Sequence, residues 1–168
     1  MTKVTYSLAN LSNLEEITSL FRDTIQTVNI KDYSLQEIEA WSLGADNTAN
    51  WIRRIKTHHF VLAKIENKLV GMASVDDKGY LDVIYIHYLY QGMGVATSLL
   101  DQMIERSKFL GHTQITSDIS ITAKPFFIDK GFQIIEPQLV LCRGVVLRNY
   151  NVRLHIGDAS DNNSNNNN

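Results

Sequence analysis

The run Gln91-Gly92-Met93-Gly94-Val95-Ala96 constrains the fold more than any other stretch, because it places two glycines between an apolar strand and a strongly patterned helix. Upstream, "GYLDVIYIHY" is rich in β-branched and aromatic residues and reads as a strand ending near His87. Downstream, Val95, Leu99 and Met103, with Ala96, Leu100 and Ile104, recur at helical spacing and predict a helix from Val95 to Leu110, with Gly111 free to cap it. The first N–H groups of such a helix lack intrahelical acceptors and sit at the positive end of its dipole. Gly92 and Gly94 remove the β-carbons that would hold an anion off the backbone, so the turn reads as a cradle for a pyrophosphate. The plain alternative is a tight turn that the glycines merely close. A Walker loop lacks its Lys here, and a dinucleotide fingerprint would need a third glycine at Thr97.

The 168 residues suit one domain with a substantial core. Sixteen basic residues against eighteen acidic ones leave a net charge of -2, which gives no footprint for nucleic acid or an anionic membrane. The single Cys142 cannot form an internal disulfide, and such sparse cysteine suits a reducing cytoplasm. The N-terminus has no signal-like apolar region and no run approaches a membrane span, so a cytoplasmic location is the expectation. The Asn-rich end, residues 157–168, reads as a disordered tail beyond a domain of residues 1–156.

Strand "VTYSLA" leads to "SNLE" (Ser12 to Glu15), a capping box ahead of Leu14, Ile17, Leu20, Phe21, Ile25 and Val28. A second box, Ser34 to Glu37, opens a short helix with Leu35, Ile38 and Trp41 on one stripe, and "NWIRRI" adds a further helical turn or two. "HFVLAKIE", "KLVGMASVD" and "GYLDVIYIHY" form an antiparallel meander. After the glycine-led helix come a strand "QITSDIS", a short helix in "TAKPFFIDKG", and two long strands joined near "RG". Strand runs bracketed by helices specify a mixed α+β domain.

The glycine turn resembles the Gln/Arg-x-x-Gly-x-Gly/Ala signature of the GNAT superfamily of N-acetyltransferases, in the family's place between fourth strand and third main helix. "ITAKPFFIDKGFQII" is similar to a second family segment, with Ala123, Phe126, Gly131 and Phe132 in register, and the element order agrees from about Val4 to Ile156. The resemblance implies a three-layer α/β/α fold whose central, twisted, mostly antiparallel sheet splays at the fourth strand. It implies acetyl-CoA or coenzyme A as cofactor, with the backbone of Gln91, Gly92, Met93, Gly94, Val95, Ala96 and Thr97 around the pyrophosphate. It also places Ile84, Tyr85 and Ile86 along the pantetheine, with the Ile84 N–H at the oxyanion. Ser120 stands where many relatives carry an Asn that contacts pantetheine. Asp82 stands two residues before Ile84, where relatives often carry a glutamate base, and an apolar strand would raise its pKa toward that role; the competing reading leaves it solvated at a strand end. Phe127 replaces the tyrosine that relatives often use to protonate the departing thiolate, so another hydroxyl acts or the thiolate leaves unassisted. Tyr85, Tyr88 and Tyr90 are the nearby hydroxyls, each more simply explained by packing.

His58 and His59 open a strand with no ligand pattern around them, which argues against a metal site. His87 reads as a strand-end imidazole, Trp41 as core, and Arg53 and Arg54 as a solvated helix face. The expected activity is acetyl transfer from acetyl-CoA to a primary amine on a small molecule or peptide, by direct attack in a ternary complex. Cys142, expected within a C-terminal strand, is no nucleophile for a covalent route. A non-catalytic coenzyme A sensor of the same fold is the alternative, and a generic nucleotide-binding domain stands only if the resemblance is accidental. The long terminal strands allow a monomer or a homodimer.

Overall fold

The computed structural model describes residues 3–157. The expected tail therefore lies, except for Gly157, outside the described residues. Seven strands form one sheet: β1 (Val4–Leu8), β2 (His59–Ile65), β3 (Lys68–Val75), β4 (Tyr80–Ile86), β5 (Gln114–Ser120), β6 (Gln133–Cys142) and β7 (Val145–His155). Their spatial order is β1-β2-β3-β4-β5-β7-β6, and every neighbouring pair is antiparallel except β4 and β5. The helices are α1 (Leu14–Thr27), α2 (Leu35–Ser42), α3 (Thr48–Thr57), α4 (Val95–Phe109) and α5 (Lys124–Asp129).

Alternation along the strands divides the core into two layers. On β2, Val61, Ala63 and Ile65 pack with Val95, Leu99, Leu100 and Met103 of α4 on one face. Phe60 and Leu62 pack on the other face with Ile17, Leu20, Phe21 and Ile25 of α1, Ile38 of α2 and Trp51 and Ile55 of α3. The α/β/α layering thus follows from binary pattern in the meander. Apolar burial of this kind contributes roughly 25 cal/mol per Å².

Local signals differ from expectation in two places at the N-terminal end. The Ser12 box does not form; a 3-10 turn (Leu11–Asn13) precedes α1, and Asn10 and Asn13 cap it reciprocally. Asparagine is as good a cap as serine, and here the earlier one captures the free N–H groups. The Ser34 box does form, with the Glu37 N–H donating to Ser34 Oγ at 3.2 Å and the Ser34 N–H to Glu37 Oε1 at 2.9 Å. Leu35, however, is 75% exposed, because α2 has only eight residues and turns Ile38, Ala40 and Ser42 inward instead.

β4 and β5 pair at only two positions, Tyr80 with Thr116 and Leu81 with Ser117, and the strands then part. Ser117 Oγ donates to Leu81 O at 2.7 Å at the point of separation. Beyond it, His87 donates its N–H to Val70 O on the β3 side. Alternation in an antiparallel ladder then sends the Val83 and Tyr85 amides toward β3 and those of Ile84 and Ile86 into the gap. A register shift opposite Ser74 and Val75 sets Asp82 between the paired residues Leu81 and Val83 as a bulge. The bulge switches faces: Leu81 packs with the α4 layer, whereas Val83 packs with the α1 layer.

Candidate active site

The gap between β4 and β5 opens into a cleft of about 430 Å³ that runs to the N-terminus of α4 and the start of α5. Asp82, Ile84, Tyr85, Ile86, Gln91, Gly92, Gly94, Val95, Ala96, Thr97, Ser120 and Phe127 all line it. Met93 does not; it is 52% exposed and points away, because only the backbone at that position belongs to the turn. The other residues expected at a cofactor therefore converge on one concavity, drawn from four separate elements.

At the mouth, Gly92 has φ 74° and Gly94 φ 81°, left-handed conformations that glycine adopts without strain. Gly94 is the N-cap of α4 and offers no side chain to the helix amides, and a β-carbon at either glycine would project into open space. Ser98 N–H is the amide that reaches Gly94 O, at 3.0 Å, which leaves the amides of Val95, Ala96 and Thr97 for an outside acceptor. Gln91 Nε2 donates to Ile86 O at 2.6 Å and so ties the turn to the open edge of β4. These features fit a diphosphate: aligned free amides, a helix dipole and no side chain in the way.

Deeper in, Ser120 Oγ accepts from the Ala123 N–H at 3.0 Å and from Asn29 Nδ2 at 3.3 Å. Its own proton remains available to a ligand. Thr24 and Thr122 also line the cleft, and each has a buried hydroxyl with no partner among the described groups. Phe127 is 1% exposed, packed edge-on against Phe126 and Phe132, and supplies floor rather than chemistry.

A second cavity of about 560 Å³ adjoins the first, walled by α1, α2, α3 and the β6–β7 hairpin. Trp41, Asp82, Tyr85 and Ser120 line both. Burial holds the Tyr85 phenol well above its ordinary pKa, so it keeps its proton. Tyr88, by contrast, stacks on His87 at the surface, and Tyr90 lies in the first cleft near Lys68.

Asp82 is not a solvated strand-end carboxylate. Arg54 Nε donates to its Oδ2 at 2.8 Å, and His58 Nδ1 lies 3.8 Å from the same oxygen. Arg54, expected on a solvated face, instead sits with its side chain 18% exposed, its guanidinium carbon 4.5 Å from the Trp51 ring centroid. The signal was present in spacing, because Trp51, Arg54, Ile55 and His58 share one helical face with two core residues. His58 Nδ1 is 3.1 Å from Ser74 Oγ, and Arg53 Nη1 is 3.5 Å from its Nε2. An arginine can only donate, so Nε2 accepts and the proton rests on Nδ1. Burial, with Arg53 and Arg54 against it and Asp82 and Asp76 for it, lowers the His58 pKa below 6.5. Trp41 was expected in the core but is half-buried, in T-shaped contact with Tyr33 and lining both cavities.

The parted sheet thus carries a bare helix mouth at one end and an open second cavity at the other. Residues 29–154 match the acetyltransferase (GNAT) domain. The chain is 30% identical over 141 residues to the uncharacterized N-acetyltransferase YafP of Escherichia coli K12, covering 84% of this chain and 89% of that protein. Its fold superposes with a TM-score of 0.88 and 25% identity on a GCN5-related N-acetyltransferase from Rhodopseudomonas palustris, over 92% of this chain and 97% of that one. The PaiA N-acetyltransferase of Thermoplasma acidophilum, solved in complex with coenzyme A, gives a TM-score of 0.76 at 15% identity, covering 91% and 99%. The chain belongs to the GNAT acetyltransferase family, and it is an acetyl-CoA-dependent acyltransferase.

Proposed function

We propose that the chain transfers the acetyl group of acetyl-CoA to a primary amine by direct attack in a ternary complex. The observation that carries this reading is the parting of β4 from β5 after Leu81 and Ser117, which leaves the inward amides of Ile84 and Ile86 facing the first cavity. The diphosphate belongs at the amides that follow Gly92 and Gly94, and the pantetheine arm takes the place of a strand beside Ile84, Tyr85 and Ile86. The carbonyl then meets the Ile84 N–H, a preorganised donor for the negative charge that develops during attack. The amine nitrogen forms a C–N bond as the C–S bond breaks, and coenzyme A departs as a thiolate.

The amine must first lose a proton, since a lysine-like ammonium has a pKa of about 10.4. Asp82 is the proposed acceptor, directly or through water: Arg54 donates to its Oδ2, and Oδ1 has no partner among the described residues. With Phe127 buried, the phenol shared by both cavities is that of Tyr85, which is the proposed donor to the leaving sulfur. A thiol with a pKa near 8.5 also leaves tolerably without help. Phe127 in the usual hydroxyl position favours a second reading, a coenzyme A sensor without turnover. Acetyl transfer to any member of a broad amine panel, read by mass increase of the acceptor, supports catalysis; saturable acetyl-CoA binding with none supports the sensor.

A further inference from the structure

Resting on that acetyl-transfer reading, we propose that the acceptor is zwitterionic: an amine that also carries an oxyanion, carboxylate or phosphate, with its nitrogen at the β4–β5 end of the second cavity and its oxyanion at the β6–β7 hairpin. The charges in this cavity are sorted by position. Its acids, Asp82 and Asp118, come from β4 and β5, beside the parted strands, with Arg54 of α3 paired to Asp82; Arg143 and Arg148 come from the hairpin.

The two sets differ in how far they are satisfied. Asp82 is held by Arg54 at 2.8 Å, and Asp118 accepts from the Tyr80 hydroxyl at 2.7 Å and from Asn151 Nδ2 at 3.1 Å. Neither hairpin arginine has a carboxylate within 4.0 Å among the described residues. Arg143 Nη1 donates to Ala40 O at 3.2 Å and touches Cys142 Sγ at 3.5 Å; Arg148 Nη2 reaches Asp32 O only at 3.5 Å. A guanidinium carries five N–H donors in a planar fork, and neutral carbonyls use up few of them. Asp82 Oδ1 stays open to an ammonium, whereas the arginines keep N–H donors open to an oxyanion.

The backbone gives independent support. Arg143 has φ 47° in the two-residue turn that joins β6 to β7, a position suited to Asn, Asp or Gly. An arginine there is a locally unfavourable choice, and its head folds back to the cavity wall at Ala40. Trp41 and Leu147 line the space between the two ends and suit an apolar body.

The test uses the full chain saturated with coenzyme A, titrated calorimetrically with N-acetylated amino acids, N-acetylated aminoalkyl phosphates and the matched neutral amides as product mimics. Binding of either oxyanion class at least about tenfold tighter than the amides supports the proposal, and the order of the two classes identifies the oxyanion. Arg143→Asn with Arg148→Gln should collapse that ratio toward one; Asn suits the turn, and a retained melting-temperature shift with coenzyme A shows that the variant is folded. Equal binding of acids and amides, or a ratio unchanged in the double variant, overturns it. Tight oxyanion binding without acetylation of any corresponding free amine supports the oxyanion seat and overturns the transfer reading.

Discussion

Asp82 is where residue-level chemistry concentrates, because one bulged position brings a carboxylate, a guanidinium and an imidazole within 4 Å. If the carboxylate takes the amine's proton, Asp82→Asn should lower kcat/KM by about a hundredfold or more and remove the acidic limb of the pH–rate profile. Affinity for coenzyme A should stay near wild type, since the change leaves the amides at α4 untouched; an unaltered profile excludes Asp82 from the reaction. His58 makes a separate prediction about stability. Its folded-state pKa lies below the ordinary 6.5, so the unfolded chain binds the extra proton first as pH falls. Stability is then fully present above about 6.5 and declines on acidification toward the lower folded-state value. His59, through burial and Arg106, and His87, through burial and Lys68, share that sign. Melting temperature should therefore drop between about pH 7.5 and pH 5.5, and His58→Gln should flatten the slope.

The element proposed to bind phosphate is the turn into α4, and its design makes substitutions there act through backbone and space together. Gly94→Trp forces an L side chain into a left-handed conformation, a strain of about 1–3 kcal/mol, and plants a ring over the amides. Coenzyme A affinity should fall at least about a hundredfold by titration, with the melting temperature of the unliganded chain lowered only modestly. Gly71 does the opposite job, letting α4 lie close against β3. A β-carbon there would meet Ile86 Cδ1 and Val95 Cγ1 at 2.9 Å, so Gly71→Ala should destabilise the chain by about 1–3 kcal/mol in chemical denaturation. The turn and α4 were legible in the sequence because their signals are local: two glycines, then an unbroken helical pattern. So was the convergence of β4, the turn, Ser120 and Phe127, given the resemblance. The bulge at Asp82 was not, since a one-residue insertion in a ladder shows only against its partner strand. Helical spacing could have turned Arg54 inward, but its pairing with Asp82 and the opening of Trp41 to the cavities depend on how α2 and α3 dock on the sheet. Ahead of α1 the spacing pointed to Ser12, whereas Asn10 caps the 3-10 turn that precedes the helix.

At the scale of the whole molecule, ligand linkage should report on the assembled site. Coenzyme A at a hundred times its dissociation constant should raise the unfolding free energy by about 2.7 kcal/mol, and a chain it leaves unmoved lacks the cofactor site. The strands sort into a block of β1 to β4 and a block of β5 to β7, joined in the sheet by the Tyr80–Thr116 and Leu81–Ser117 pairs. Side-chain bonds from Asn29 to Ser120 and from the Tyr33 hydroxyl to Arg148 O reinforce the join from the α1 side. A molecule built this way is unfinished along its own midline. The thioester arm, lying there as a borrowed strand, would act as the missing rung of the ladder. Hydrogen exchange at Ile84 and Ile86 should then be fast in the free chain and slow once the arm is in place, so that docking the donor also stiffens the platform on which the acceptor lands.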